Sequence, residues 1–357
     1  MTLTQTLGET ILNYKYSYPV ARARGMRRHL LTDKQLATII DSRDLEGSLD
    51  ILNSTAYGSI LAETPTKGFA EMEQALNKNL IGTLLKIHRF LPNKVNEIFY
   101  WYLVKYEAAN LKTILRGVFA KVPKDEIINN LLPMSLNIKK SVYEDLAGMS
   151  NIEEIVSSLD STIFGPALTK TLPEYEKSGL LLQLETALDR FAYENLWKKA
   201  SNFKGTDVEF LKKAIGIEID ILNLKILIRS KVEDIKPEEV SKYLIPNAFE
   251  LKIKKLASLS KLEEVDAIVN ALENTIYYKP LEDGIEKYKK TGELSPFERA
   301  LDSYYSSLAF KLQQDQPQGM GPIWRYIMDK TTEIRNLILI LKLKEEDFTP
   351  EEIKSLV

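Results

Sequence analysis

Apolar positions recur along this chain at intervals of three and four residues, a spacing that lays them on one side of a helix. Leu111, Leu115 and Val118 form one such stripe, and Leu224, Ile228 and Val232 form another. Alternating apolar and polar runs are short. No Asn-Gly or Asp-Gly pair stands between β-branched segments, so hairpin signals are weak. The pattern predicts an all-α protein. Thr32-Asp33-Lys34-Gln35 matches a capping box and predicts a helix start. Pro123-Lys124-Asp125-Glu126, Pro237-Glu238-Glu239 and Thr349-Pro350-Glu351-Glu352 place proline at the head of a helix with acids in its first turn. The stretch Gln314 to Pro322 reads as the one clear irregular segment.

One polar pattern interrupts the apolar stripes three times. An acidic residue is followed at i+3 by Asn, at i+4 by Leu, then by an aliphatic run and a base six positions after the Asn. The copies are Glu107, Asn110, Leu111, Arg116, then Asp220, Asn223, Leu224, Arg229, and finally Glu333, Asn336, Leu337, Lys342. In sequence number, Asn110 and Asn223 differ by 113, as do Asn223 and Asn336. The third copy carries Ile338 and Lys342 where the others have Lys and Arg. Equal spacing over so long a period reads as three copies of one unit.

The repeat extends beyond the signature. Glu185-Thr186-Ala187-Leu188-Asp189 and Glu298-Arg299-Ala300-Leu301-Asp302 stand at the same interval, and Glu71 to Asn77 supplies a first copy. Leu132-Pro133 and Ile245-Pro246 share that interval as well. The seams fall near 125 and 237. They give a first helical domain over 1–125 with a Tyr/Arg-rich entry, a second over 126–237 and a third over 238–357.

Within one signature, carboxylate, amide and leucine share one neighbourhood of a helix surface. An amide beside an apolar stripe needs partners, and the acid one turn earlier is positioned to accept from it. The plainer reading of the motif is a packing and register device between helices.

Composition narrows the chemistry. The 357 residues carry 44% apolar side chains, enough for two or three cores, and a net charge of −2 with acids and bases interspersed. Such a balance offers no global field for nucleic acid. With no cysteine and only His29 and His88, disulfides, zinc-thiolate sites, iron–sulfur clusters and a cysteine nucleophile are excluded. No uncharged apolar run approaches the roughly 18–20 residues that span a bilayer, and Met1-Thr2-Leu3-Thr4 lacks a secretory pattern. There is no P-loop and no H-E-x-x-H, and neither histidine has a Glu three positions before it. Aspartate-rich magnesium motifs are missing too. No catalytic, cofactor-binding or metal-binding residue is expected.

Residues Asn13 to Arg28 combine Tyr14, Tyr16 and Tyr18 with Arg22, Arg24, Arg27 and Arg28. The plainer reading is an amphipathic helix with solvated arginines. The functional one is a basic patch for an acidic partner, a phosphate or an anionic surface.

Three signatures in register, an Ala-Leu-Asp helix followed by Tyr-Tyr, and an entry of the form Tyr-x-Tyr-x(5)-Arg-x-Arg-x-Met together resemble the funnel-shaped subunit of rotary ATPases. That subunit is called C in archaeal and bacterial A/V-type ATP synthases and d in the eukaryotic vacuolar pump. The resemblance covers the chain from about Tyr14 onward. It implies a pseudo-threefold, all-helical funnel with a central cavity, holding the central shaft and seated on the membrane proteolipid ring. It further implies a peripheral position on the cytoplasmic side of the membrane, bound through the ring, with no catalysis or cofactor of its own. The protein would carry torque between H⁺- or Na⁺-driven ring rotation and nucleotide chemistry elsewhere. Arg22, Arg24, Arg27 and Arg28 are then candidate partner contacts. A free helical-repeat adaptor that binds other proteins is the alternative, though the repeats of such adaptors are usually about 20 to about 50 residues long. A helical enzyme with an unfamiliar site is a third.

Overall fold

The computed structural model describes residues 3–64, 68–233, 235–246 and 248–357, with side chains for all of these except 3–14, 283, 287 and 291. Met1, Thr2 and the side chains of Asn13 and Tyr14 therefore lie outside the described residues. The described chain contains helices and no strand. It divides into two compact units, one drawn from Met1–Pro92, Asn129–Met134 and Gln313–Val357, the other from Asn93–Ile128 and Ser135–Leu312.

The first unit joins the two ends of the sequence. Helices Leu3–Arg27, Phe69–Phe90 and Met320–Glu345 pack on one another. Met72, Leu76, Leu80, Leu84 and Ile87 turn one face of Phe69–Phe90 inward, and Ile323, Ile327, Ile334, Leu337 and Leu341 do the same for Met320–Glu345. Short helices complete the unit. Asp33–Asp41 begins with the predicted capping box, Thr32 accepting from Gln35 N and Gln35 accepting from Thr32 N. Pro350–Leu356 begins with a second box built on Thr349 and Glu352.

The second unit is organised on two long helices, Asn93–Phe119 and Thr206–Val232. Helix Leu182–Ser201 lies along the first of these. Both are so thoroughly covered that buried residues fall on every side, as expected of a helix at the centre of a bundle. Phe99, Leu103, Leu111 and Leu115 are fully enclosed, as are Ile217, Leu224 and Leu227. Burying a side chain of this size contributes about 1.5–3 kcal/mol.

All three signatures lie on long helices, Asn93–Phe119, Thr206–Val232 and Met320–Glu345, and all three helices end the same way. Val122 N donates to Gly117 O at 2.8 Å, Ile235 N to Ser230 O at 2.8 Å, and Phe348 N to Leu343 O at 2.9 Å. These are six-residue Schellman closures. Lys121 and Asp347, in corresponding positions, take φ of 56° and 61°. A left-handed residue costs about 1–2 kcal/mol when it carries a side chain, so the turn geometry overrides local preference in both copies.

The irregular stretch expected from Gln314 to Pro322 is shorter than predicted. Helix Ser295–Asp315 runs into it and helix Met320–Glu345 starts inside it. Gly321 permits that start: a Cβ there would stand 2.5 Å from Gln316 O and 2.9 Å from Gln313 Cα.

Candidate functional site

The signature acids are receptors for backbone. Glu107 is fully buried, and its Oε1 accepts from Leu136 N and Asn137 N at 2.7 Å and from Ile138 N at 3.1 Å, while Asn137 Nδ2 donates to Oε2 at 2.6 Å. Asp220, equally buried, accepts from Glu250 N, Leu251 N and Tyr277 Oη at 2.7, 3.1 and 2.7 Å. Glu333 accepts from Leu31 N and Tyr57 Oη and pairs with Lys330 Nζ at 3.3 Å. Phe164 follows Glu107 at the same sequence interval at which Tyr277 follows Asp220, so the two rings are counterparts. Phe164 has no hydroxyl to offer, and the Asn137 amide supplies the missing donor.

In the second copy the signature Asn does not turn to its own acid, as the sequence suggested. Asn223 Nδ2 donates to Ile245 O at 2.9 Å and Asn223 Oδ1 accepts from Ile245 N at 2.8 Å, clamping the backbone just before Pro246. The acid is already saturated by backbone donors, so the amide serves a different segment.

Burial acts on Asp220 electrostatically. It raises the Asp220 carboxyl to about 6, against the opposing pull of its backbone and Tyr277 hydrogen bonds. Because the folded value lies above the unfolded one, stability falls as pH rises from about 4 to about 6, where the unfolded chain ionises first. Asp220→Asn, which cannot ionise, is expected to flatten that part of the curve. Thermal unfolding at stepped pH measures it.

The signature bases reach the Ala-Leu helices. Arg116 forms a two-pronged pair with Glu185, at 2.6 and 2.7 Å, and Arg229 meets Glu298 at 2.6 Å. One turn earlier Lys112 binds Asp189 at 2.7 Å and Lys225 binds Asp302 at 2.7 Å. The third copy lacks a direct first pair: Lys342 stands 3.9 Å from Glu346 on its own helix and acts on Glu73 only through its charge. Burial raises the Glu73 carboxyl and the neighbouring Lys342 charge draws it partway back. It drops the second pair from both sides, since Ile338 and Asn77 stand where Lys and Asp are expected.

These contacts share an order. The first signature helix is joined to residues 136–138 and 185–189, which belong to the second copy, and the second helix to 250–251 and 298–302, in the third. The third helix returns to Leu31 and Tyr57, in the first. Each of these joints lies within one compact unit.

Sequence reading missed a further joint inside the second unit. Lys105 and Glu218 are counterparts in the repeat, each two positions before a signature acid, and their side chains meet at 2.7 Å. Glu218 also accepts from Tyr193 Oη at 2.8 Å and Tyr305 Oη at 3.1 Å, and Lys105 Nζ stands 3.7 Å from the centre of the Tyr102 ring. Burial alone would lower the Lys105 ammonium. The Glu218 carboxylate outweighs it and holds the pKa well above its ordinary value. The legible signal was the unlike charge of corresponding positions, Lys, Glu and then Thr331.

The entry arginines are largely engaged within the first unit. Arg22 donates to Tyr18 Oη at 3.2 Å and lies over the Phe90 ring, Arg24 donates to Pro317 O at 3.0 Å, and Arg27 pairs with Asp329 at 3.0 Å. Arg28 is exposed. His88 is half-buried, and burial lowers its pKa. Among the described residues no group of His, Asp and Glu is placed to hold a metal ion, and no helix is long and apolar enough to cross a membrane.

An all-helical body whose copies of one motif hand their contacts to the next is the class of protein these features define. Related sequences agree. Residues 19–356 match the family described as ATP synthase (C/AC39) subunit. The C subunit of the A-type ATP synthase of Methanocaldococcus jannaschii is 31% identical over 344 residues, 96% of this chain and 86% of that protein. Its counterpart in Methanobrevibacter smithii is 30% identical, covering 93% of this chain and 85% of its own. That of Pyrococcus horikoshii is 28% identical over 98% and 92%. The chain belongs to the ATP synthase C/AC39 subunit family, a non-catalytic component of A/V-type ATP synthases.

Proposed function

We propose that this chain is the joint between the central shaft and the membrane proteolipid ring of a rotary ATPase, carrying torque for H⁺ or Na⁺ transport coupled to ATP synthesis or hydrolysis. On this reading three domains, 1–125, 126–237 and 238–357, surround a pseudo-threefold axis as a funnel whose cavity receives the shaft. The ring holds its other side at the cytoplasmic face of the membrane. The observation that carries the reading is the return of the third signature helix to the first copy, through Glu333 to Leu31 and Tyr57. An open array of repeats leaves its last member's contacts unpartnered, whereas a cyclic one hands them back to the first. Torque around an axis calls for many moderate contacts placed in a ring. Internal joints made of buried carboxylates on backbone amides resist shear, because sliding breaks several hydrogen bonds together.

The native chain has no cysteine, so single cysteines can report position. Placed at exposed Phe119 or Phe310 and cross-linked in the assembled complex, they are expected to capture shaft or ring proteins while ATP turnover continues. Capture of static components alone, with turnover halted, contradicts a rotor role.

A further inference from the structure

Two cavities, one within each unit, share corresponding helices of the repeat as one wall, and they differ in charge. In the second unit a cavity of about 390 Å³ is bordered by Arg190, Phe191, Glu194 and Asn195 of helix Leu182–Ser201, with Lys170, Glu174 and Lys242. Its charges are mixed, and Arg190 and Glu194 pair at 3.0 Å. In the first unit a cavity of about 640 Å³ is bordered by Lys78, Asn79, Gly82 and Thr83 of helix Phe69–Phe90, which align in that order with the same four positions. There the acid is missing, since Gly82 stands in the place of Glu194. Lys86, Lys330 and His29 add basic groups to the wall, and among the described residues no carboxylate lines it.

The cations of this wall are only partly neutralised. Glu63 reaches Lys78 from outside at 3.6 Å, with both side chains mostly exposed, a pair of little strength. Lys330 is 6% exposed, and it divides its ammonium between Tyr57 Oη at 2.6 Å and Glu333 at 3.3 Å. Lys86 is exposed at the rim. Asn79 contributes a buried Oδ1 that has no hydrogen-bond partner among the described residues. A cavity of several hundred Å³ is of the size that holds small molecules. Its wall asks for negative charge from Lys78, Lys86 and Lys330, and for a hydrogen-bond donor at Asn79. A carboxylate or sulfate at neutral pH supplies only the first. A phosphate, which keeps a proton on part of its population near pH 7, supplies both.

We propose that this cavity is a binding site for phosphate, either free or as the head of a small phosphomonoester. The Met26, Leu30 and Ile60 side of the cavity would receive the organic part of such an ester.

The decisive variant is Gly82→Glu, which writes the second unit's carboxylate into the first. A Cβ at Gly82 meets nothing within 4 Å, so the side chain has room. Replacing a mid-helix glycine also favours the helix. Titration calorimetry of the full chain at constant ionic strength, with inorganic phosphate as probe, is expected to give saturable binding at one site in the millimolar range or below. Gly82→Glu should weaken it at least tenfold and Lys86→Ala several-fold, and sulfate should bind several-fold more weakly than phosphate. Glycerol 3-phosphate binding more tightly than inorganic phosphate would assign the ester, and the reverse order the free ion. No saturable binding of either probe, or equal binding by wild type and Gly82→Glu, overturns the proposal.

Discussion

Glu107→Ala is expected to lower the free energy of unfolding by about 3–5 kcal/mol, read from the shift of a denaturant midpoint at unchanged slope. The truncation strands the N–H groups of Leu136, Asn137 and Ile138 together with the Asn137 amide. Each buried donor left without an acceptor costs about 1–3 kcal/mol, less whatever an entering water restores. Glu107→Gln keeps one carbonyl acceptor and turns an amide toward donors, so it should cost roughly half as much as the truncation. Arg116→Ala, by contrast, removes a base whose side chain is 63% exposed, and should cost no more than about 1 kcal/mol. A loss below about 1 kcal/mol for Glu107→Ala would mean that the carboxylate is not what fixes the start of the second copy.

Lys105→Met should produce the second large effect, about 3 kcal/mol of destabilisation, because it leaves the Glu218 carboxylate among phenols without its counter-charge. Tyr193 and Tyr305 still donate to Glu218 and hold the loss below that of a carboxylate stripped of every partner. The double variant Lys105→Met/Glu218→Gln is expected to recover most of the stability, since two neutral groups carry no charge to desolvate. The cycle formed by the wild type, Lys105→Met, Glu218→Gln and the double variant isolates the pair, with a coupling of about 2–3 kcal/mol. Additive single effects would show that the 2.7 Å approach contributes packing and no charge pairing.

Helical periodicity was written plainly in the sequence because the long helices carry dense apolar stripes, and the capping box at Thr32 and the proline-led helix start at Thr349-Pro350 were equally legible. The triplication was visible because Glu107, Asp220 and Glu333 recur at equal spacing. What each acid does was not. A carboxylate on a helix face looks the same whether it binds an amide one turn away or a distant backbone segment, and only the folded chain brings Ile138 to Glu107. The hand-over from copy to copy escaped the sequence for the same reason: Arg116 and Glu185 are far apart along the chain and become neighbours through tertiary packing. The loss of charge in the third copy could have been found, since Ile338 and Asn77 change together once the first Ala-Leu helix is aligned with the other two. The entry arginines read as solvated, with a basic patch as the alternative, because sequence does not reveal that Asp329 and Pro317 O lie beside Arg27 and Arg24.

The most direct measurement is the number of ions moved per ATP hydrolysed by the assembled enzyme, with this chain present and with it withdrawn. A mechanical joint predicts that hydrolysis persists without it while ion movement collapses, and that adding the chain back restores both the ratio and its inhibition by ring-directed reagents. Ion movement that stays proportional to hydrolysis in its absence would contradict the account.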